Sequence, residues 1–252
     1  ADPDSVPSDT DEDAMNATIA RLTTSTLLGK RRALLLVLLP VLLLALAAII
    51  RGVAGPDSAV GTPLLQAFAL GTMVPLLGLI AGTGVIGPEI DEGSIVYILA
   101  KPVSRPIIIV TKLAIATGCL LAFAAVPTFV AAVVVSGFDG GVALGFGVGT
   151  AIAGIAYSAV FLLLAVLTRH AVVFGLVYAL IWESFVGGFV PGAKALSIQQ
   201  WALAVADRVI SRDAIDSVMS AGTALVLLVA VTAAATWLAG HRLRSLTLTE
   251  SE

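Results

Sequence analysis

Long apolar runs separated by short polar segments make up most of the chain. Six of these runs approach or exceed the roughly 20 residues that a helix needs to cross the hydrocarbon core of a bilayer. They lack the short alternating segments of a membrane β-barrel. The pattern therefore predicts an all-α integral membrane protein with six transmembrane helices, over about 33–50, 63–86, 107–135, 142–167, 172–190 and 221–240.

The residues before the first apolar run divide into two parts. Residues 1–14 hold six acids within the first 13 positions and a single branched aliphatic residue, Val6, which predicts a disordered acidic tail. Residues 16–32 place Ile19, Leu22 and Leu27 among hydroxyl and basic residues, which predicts an amphipathic helix lying on the membrane. Residues 15–252 are expected to form one transmembrane domain.

A polar interruption with charges of both signs lies between the second and third runs, GPEIDEGSIVYILAKPVSRPIIIVTK over 87–112. Its acids follow Pro88, where a first helical turn favours carboxylates: Glu89, Asp91 and Glu92. Apolar residues then recur at i, i+3, i+4 spacing: Ile95, Ile98 and Leu99. A short amphipathic helix is predicted over 89–99, ended by Lys101-Pro102. Lys112 lies within the first two turns of the next run.

Composition indicates the class of protein, and the distribution of basic residues indicates its orientation in the membrane. The chain of 252 residues is 58% hydrophobic and 12% charged, whereas soluble domains have about 25% charged residues. With the N-terminus inside, cytoplasmic segments hold ten of the 14 Lys and Arg residues and outer segments hold four. Because basic residues favour the inner side, both termini and the 89–105 loop are expected in the cytoplasm.

The segment before the last span is the longest outer loop, over 191–220. Apolar residues at near-helical spacing predict one or two short helices at the outer membrane surface, with Trp201 as an interfacial anchor. A gating role and a simple interfacial loop both remain open for it. Small residues at i, i+4 spacing predict close packing between helices of the same chain: Gly78 and Gly82 in the second run, and Gly141, Gly145 and Gly149 in the fourth.

One acid, Glu183, lies deep in a predicted span. A carboxylate is costly there, so Glu183 is a candidate substrate or gate residue together with Trp182 and Phe185. The alternative is a protonated or hydrogen-bonded carboxyl that packs one helix against another.

Other chemistry is not indicated by the sequence. His170 and His241 follow or precede arginines at span ends and are interpreted as surface residues, so no metal site is predicted. Gly29-Lys30 lacks the rest of a phosphate-binding loop, which argues against ATP binding by this chain. No catalytic residue set and no basic aromatic-bearing surface for nucleic acid is evident.

The 87–112 stretch resembles the loop between the second and third spans of type-2 ABC-transporter permeases. The resemblance rests on an acidic turn, Gly93-Ser94, an apolar helix, Pro102-Val103-Ser104-Arg105 and a lysine, with Thr111-Lys112 where the family has Gly-Lys. It extends over about 15–244 and includes Trp182-Glu183, Val190-Pro191-Gly192 and Leu196-Ser197. It implies that 16–32 is an elbow helix and that 89–99 is a coupling helix. The coupling residues would be Glu89, Asp91, Glu92, Gly93, Ile95, Ile98, Leu99, Pro102 and Arg105.

The resemblance also implies a function. The chain would be the permease subunit of an exporter in a bacterial cell membrane, moving substrate by alternating access. A second permease copy or close relative and two separate ATPase subunits, which hold ATP and Mg, would complete the assembly. Glu89 and Glu92 would meet basic groups at the rim of the ATPase cleft. Open alternatives are a transducer that drives an outer-face partner protein, a secondary transporter or channel, and a loop that is amphipathic only because it lies on the membrane.

Overall fold

The computed structural model describes residues 30–55, 58–87, 89, 105–138, 141–186, 196–210 and 219–245. The predicted acidic tail, nearly all of the elbow helix and most of the coupling helix lie outside these residues. Among the predicted coupling residues, Glu89 is described in full and Arg105 only as the first residue of a helix. The remaining ones lie outside the described residues: Asp91, Glu92, Gly93, Ile95, Ile98, Leu99 and Pro102.

All elements of the described residues are helical. We label them α1 (Lys30–Ala54), α2 (58–84), α3 (105–136), α4 (Val142–Leu167), α5 (171–186), α6 (Ile198–Val209) and α7 (Ala221–Ser245). Three of them contain a π-helical segment, namely Leu65–Met73 in α2, Leu121–Ala125 in α3 and Tyr178–Val186 in α5.

Among the described residues, five helices are long and apolar enough to cross a membrane: Ala33–Ala54, Val60–Gly84, Ile107–Ser136, Val142–Leu167 and Ala221–Leu243. They correspond to five of the six predicted spans and are compatible with a multi-pass membrane protein. The helix at the predicted fifth span is shorter, with an apolar part at Ala171–Glu183. A sixth crossing at this position stays a prediction.

Helix α4 lies at the centre of the bundle. It packs against α2, α3, α5, α6 and α7, and 61% of its most apolar window is buried, against 17% for α7. The predicted glycine packing is confirmed where α2 crosses α4. A Cβ at Gly78 would lie 2.8 Å from the Tyr157 Cβ, and one at Gly82 would lie 2.8 Å from the Phe161 Cβ. Only glycine permits this approach of the two backbones.

Helix α6 is inserted into the bundle, whereas the sequence led us to expect a helix on the membrane surface. It packs against α4, α7 and the π segment of α2. A Cβ at Gly145 would lie 2.8 Å from the Ala206 carbonyl oxygen, and one at Gly149 would lie 3.0 Å from the Ala202 carbonyl oxygen. The prediction of Trp201 as an interfacial anchor is wrong, since this side chain is only 5% exposed.

Pro75 and Pro127, inside the second and third predicted spans, each lie just after a π-helical segment. Each proline is the second residue of the α-helical part that directly follows a π segment, Val74–Gly84 after Leu65–Met73 and Val126–Ser136 after Leu121–Ala125. A proline ring clashes with the carbonyl one turn earlier and lacks an N–H. The wider π turn moves that carbonyl away, so both helices continue through their prolines.

Candidate functional site

The base of the 87–112 stretch contains a buried ion pair. The Lys112 Nζ donates to Glu89 Oε1 at 2.7 Å and to the Val85 carbonyl oxygen at 2.5 Å. The lysine side chain is 1% exposed and that of Glu89 is 24% exposed. Lys112 of α3 thereby binds both the end of α2, at Val85, and the acid that follows it, Glu89.

Lys112 is buried because of its position on α3. It shares the inward face with Ile108, Ile109, Ala116 and Leu120, which recur at helical spacing and are all buried. A buried ammonium is strongly unfavourable unless it is paired and hydrogen-bonded. Glu89 and the Val85 carbonyl oxygen supply both kinds of partner, so the pair and the packing of α3 on α2 depend on each other.

Glu89 makes a contact within the chain that the sequence did not predict. From the sequence we expected its carboxylate to meet basic groups of a partner, whereas in the structure one of its oxygens accepts the Lys112 ammonium. Glu89, which follows the end of α2, is therefore held against Lys112, about two turns into α3.

Glu183 is the centre of a second polar site at the other end of α2. Its side chain is 1% exposed. Oε1 accepts from the Tyr178 hydroxyl at 3.0 Å and from the Ile198 backbone N–H at 3.1 Å, and Oε2 accepts from the Ser197 hydroxyl. The carboxyl is thus satisfied by groups of the protein itself, which matches the packing interpretation.

The local backbone explains why these groups meet. Tyr178 and Glu183 are five residues apart in a π-helical segment, where bonds of i to i+5 type bring such residues onto about the same face. Ser197 is the N-cap of α6, and its hydroxyl oxygen accepts from the Gln200 N–H at 3.3 Å. A carboxylate beside the N-terminus of α6 also complements the helix dipole.

The positions of the other candidate residues indicate little about their function. Trp182 is half-buried beside Glu183, and Phe185 lies in the same π segment, with its side chain outside the described residues. His170 and His241 are exposed, as predicted. Within the described ranges, no group of three or more His, Cys, Asp or Glu residues could hold a metal ion.

Several residues of these two sites were missed from the sequence. From the sequence, Lys112 was interpreted as a cytoplasmic charge and as the lysine of the permease-like stretch. Its burial was not predicted, although its spacing from Ile108 and Ala116 places it on the buried face. Ser197 and Gln200 form the S-x-x-Q pattern of a helix start, which could have located the beginning of α6. Gln199, from α6, donates through Nε2 to the Gln66 carbonyl oxygen of α2 at 2.9 Å. No sequence pattern around Tyr178 or Gln199 indicated that these side chains would make contacts at the sites.

Comparison of the chain with protein-family models and with curated protein sequences gave no match.

Proposed function

We propose that the chain is the membrane-spanning permease subunit of an ABC transporter that exports its substrate and is driven by a separate ATPase. The observation that carries the proposal is the ion pair between Glu89 and Lys112. These are the first acid and the last lysine of the stretch that resembles the type-2 permease loop. Their contact ties the end of α2 to α3 beside that stretch, which supports a role in passing movement to both helices.

The proposed mechanism uses this tie between the two helices. Closure of two ATPase subunits on ATP would displace the 89–99 segment. Because Lys112 binds both Glu89 and the Val85 carbonyl oxygen, α2 and α3 would move as one unit. The ATPase can shift the permease between two states only if it contacts the segment differently in its open and closed forms.

Co-purification tests this function. The tagged chain is expressed with ATPases that carry a Walker motif and are encoded next to it, and is purified in mild detergent. We expect one such ATPase to be retained, with two copies for each permease dimer. A chain that transports its substrate with no ATPase bound would instead support a secondary transporter or channel.

The orientation of the loop gives a second prediction. A cysteine at position 101, in a variant with Cys119→Ala, should react only with reagents that cross the membrane, because the Lys and Arg distribution places this loop inside. A cysteine at Ser220, before α7, is the matched control and should react from outside. Labelling of position 101 by an outside-only reagent would contradict the model.

A further inference from the structure

A groove of about 360 Å³ lies between the start of α3 and the end of α7. Ile109 and Val110 of α3 form one wall, and the α7 residues Ala233, Trp237, Gly240 and His241 form the other. Val110 and Trp237 are exposed, so the groove opens sideways at the surface of the bundle rather than into its interior. At this depth in a membrane protein, a groove of this kind faces lipid.

The middle of the groove is empty and apolar at Gly240. A Cβ built on this glycine would have no atom within 4 Å, whereas one on Gly145 of α4 would lie 2.8 Å from a carbonyl oxygen of α6. The two walls therefore do not close on each other. The Thr236 hydroxyl, which also lines the groove, donates to the Thr232 carbonyl oxygen at 2.7 Å and needs no partner from outside.

An aromatic pair forms the rim of the groove. The rings of Trp237 and His241 are stacked one turn apart on α7, with their centroids 5.5 Å apart and their planes inclined by 9°. Trp237 is 68% exposed. Tryptophan side chains with an apolar body and an exposed N–H are enriched at the level of lipid headgroups. The rim therefore lies where a headgroup and the first part of an acyl chain would meet the protein.

Basic residues follow the groove on both helices. Arg105 is the first residue of α3, one turn before Ile109, and Arg244 is one turn after Gly240, near the end of α7. Arg242 directly follows His241 and is exposed. Neither 105–113 nor 233–245 contains an acid. The end of the groove therefore has a local excess of positive charge, at the side of the membrane that the Lys and Arg distribution places inside.

We propose that the α3–α7 groove binds one acidic phospholipid of the inner leaflet. An acyl chain fills the apolar space beside Gly240, and the phosphate lies at the level of His241 and Arg242. A neutral lipid could fill the same space, so the basic end supplies the selectivity, as in other basic pockets between helices on the cytoplasmic side. The inference goes beyond the proposed function and does not depend on an ATPase.

Native mass spectrometry of the full chain in a neutral detergent tests the selectivity. The protein is titrated with dioleoyl-phosphatidylglycerol or with dioleoyl-phosphatidylcholine, which have the same acyl chains. The first phosphatidylglycerol should bind about tenfold more tightly, which is the size expected from one or two basic groups near the headgroup. Arg242→Gln with Arg244→Gln should lower this preference at least threefold. Equal affinity of the wild-type chain for the two lipids overturns the proposal.

Filling the groove tests its position. Gly240→Leu places a side chain in the empty space and should weaken binding of the first phosphatidylglycerol at least tenfold. Val110→Trp fills the same space from α3 and should act alike, so the test does not rest on one variant. Gly222→Leu is the matched control, since it makes the same change on α7 where a Cβ also has no atom within 4 Å. Unchanged binding in both filling variants overturns the proposal.

Photolabelling locates the bound lipid. A phosphatidylglycerol with a diazirine on one acyl chain is incorporated into phosphatidylcholine nanodiscs that hold the full chain, and the labelled peptides are identified after irradiation. Labelling should be concentrated in 105–113 and 233–241, and Gly240→Leu should reduce it there at least fivefold while labelling of α1 stays unchanged. Labelling spread evenly over the exposed faces of α1, α5 and α7 would contradict a site in the groove.

Discussion

Replacing Glu89 with leucine should destabilise the protein by about 3 kcal/mol. The change leaves the Lys112 ammonium buried with the Val85 carbonyl oxygen as the one remaining partner among those described above. Removing one partner of a buried ion pair typically costs about 3–5 kcal/mol, and the partial exposure of Glu89 favours the lower end of this range. Reversible unfolding in detergent, followed by circular dichroism, would measure the change.

The double variant Glu89→Leu with Lys112→Met should recover most of the lost stability. Replacement of a whole buried pair by apolar groups is often neutral, because no stranded charge remains. The recovered variant should nevertheless couple poorly to an ATPase, since α2 and α3 are no longer joined. Arg208→Leu, an exposed change on α6, is the control and should alter stability by less than about 0.5 kcal/mol. A double variant as unstable as Glu89→Leu would contradict this account of the pair.

The double change Ile95→Asp with Leu99→Asp should release the ATPase from the complex. Each fully buried aliphatic side chain contributes roughly 1.5–3 kcal/mol. Loss of two such contacts therefore weakens binding by about 3–6 kcal/mol, a factor of more than a hundred in Kd. Affinity co-purification followed by quantification of the ATPase would measure the loss. The expectation rests on the i, i+4 spacing of the two residues in the sequence.

Two further variants show whether the release is specific. Glu92→Ala should weaken coupling without dissociation, because an exposed ion pair at a rim contributes only about 0–1 kcal/mol. Leu22→Asp with Leu27→Asp carries the same charges in the predicted elbow helix and should first disturb seating on the membrane. Normal co-purification and transport by the Ile95/Leu99 variant would mean that the coupling assignment is wrong.

The sequence predicted the long helices well because each is a continuous apolar run. The fourth span was predicted at 142–167 and is observed at Val142–Leu167. The fifth span was predicted over 172–190, an apolar run that contains Glu183. The structure describes a helix over 171–186 at this position, with a π segment from Tyr178 onward.

The contacts of the two polar sites could not be predicted in the same way. Lys112 and Glu89 are 23 residues apart, and Glu183 and Ser197 are 14 apart. Local periodicity gives the face of a helix but not the residue that it meets on another helix. The burial of Trp201 illustrates the same limit, since the general preference of tryptophan for the interface is overridden by the close packing of α6 on Gly145 and Gly149.

Site-specific photocrosslinking at position 98 tests the central claim most directly. A photoreactive amino acid replaces Ile98 in the full chain, and membranes are irradiated with and without ATP. The account predicts a crosslink to a Walker-bearing ATPase whose yield changes with ATP, and no such crosslink from the same amino acid at exposed Val226 on α7. Crosslinks from position 98 to lipid alone, in membranes where the chain transports its substrate, would contradict it.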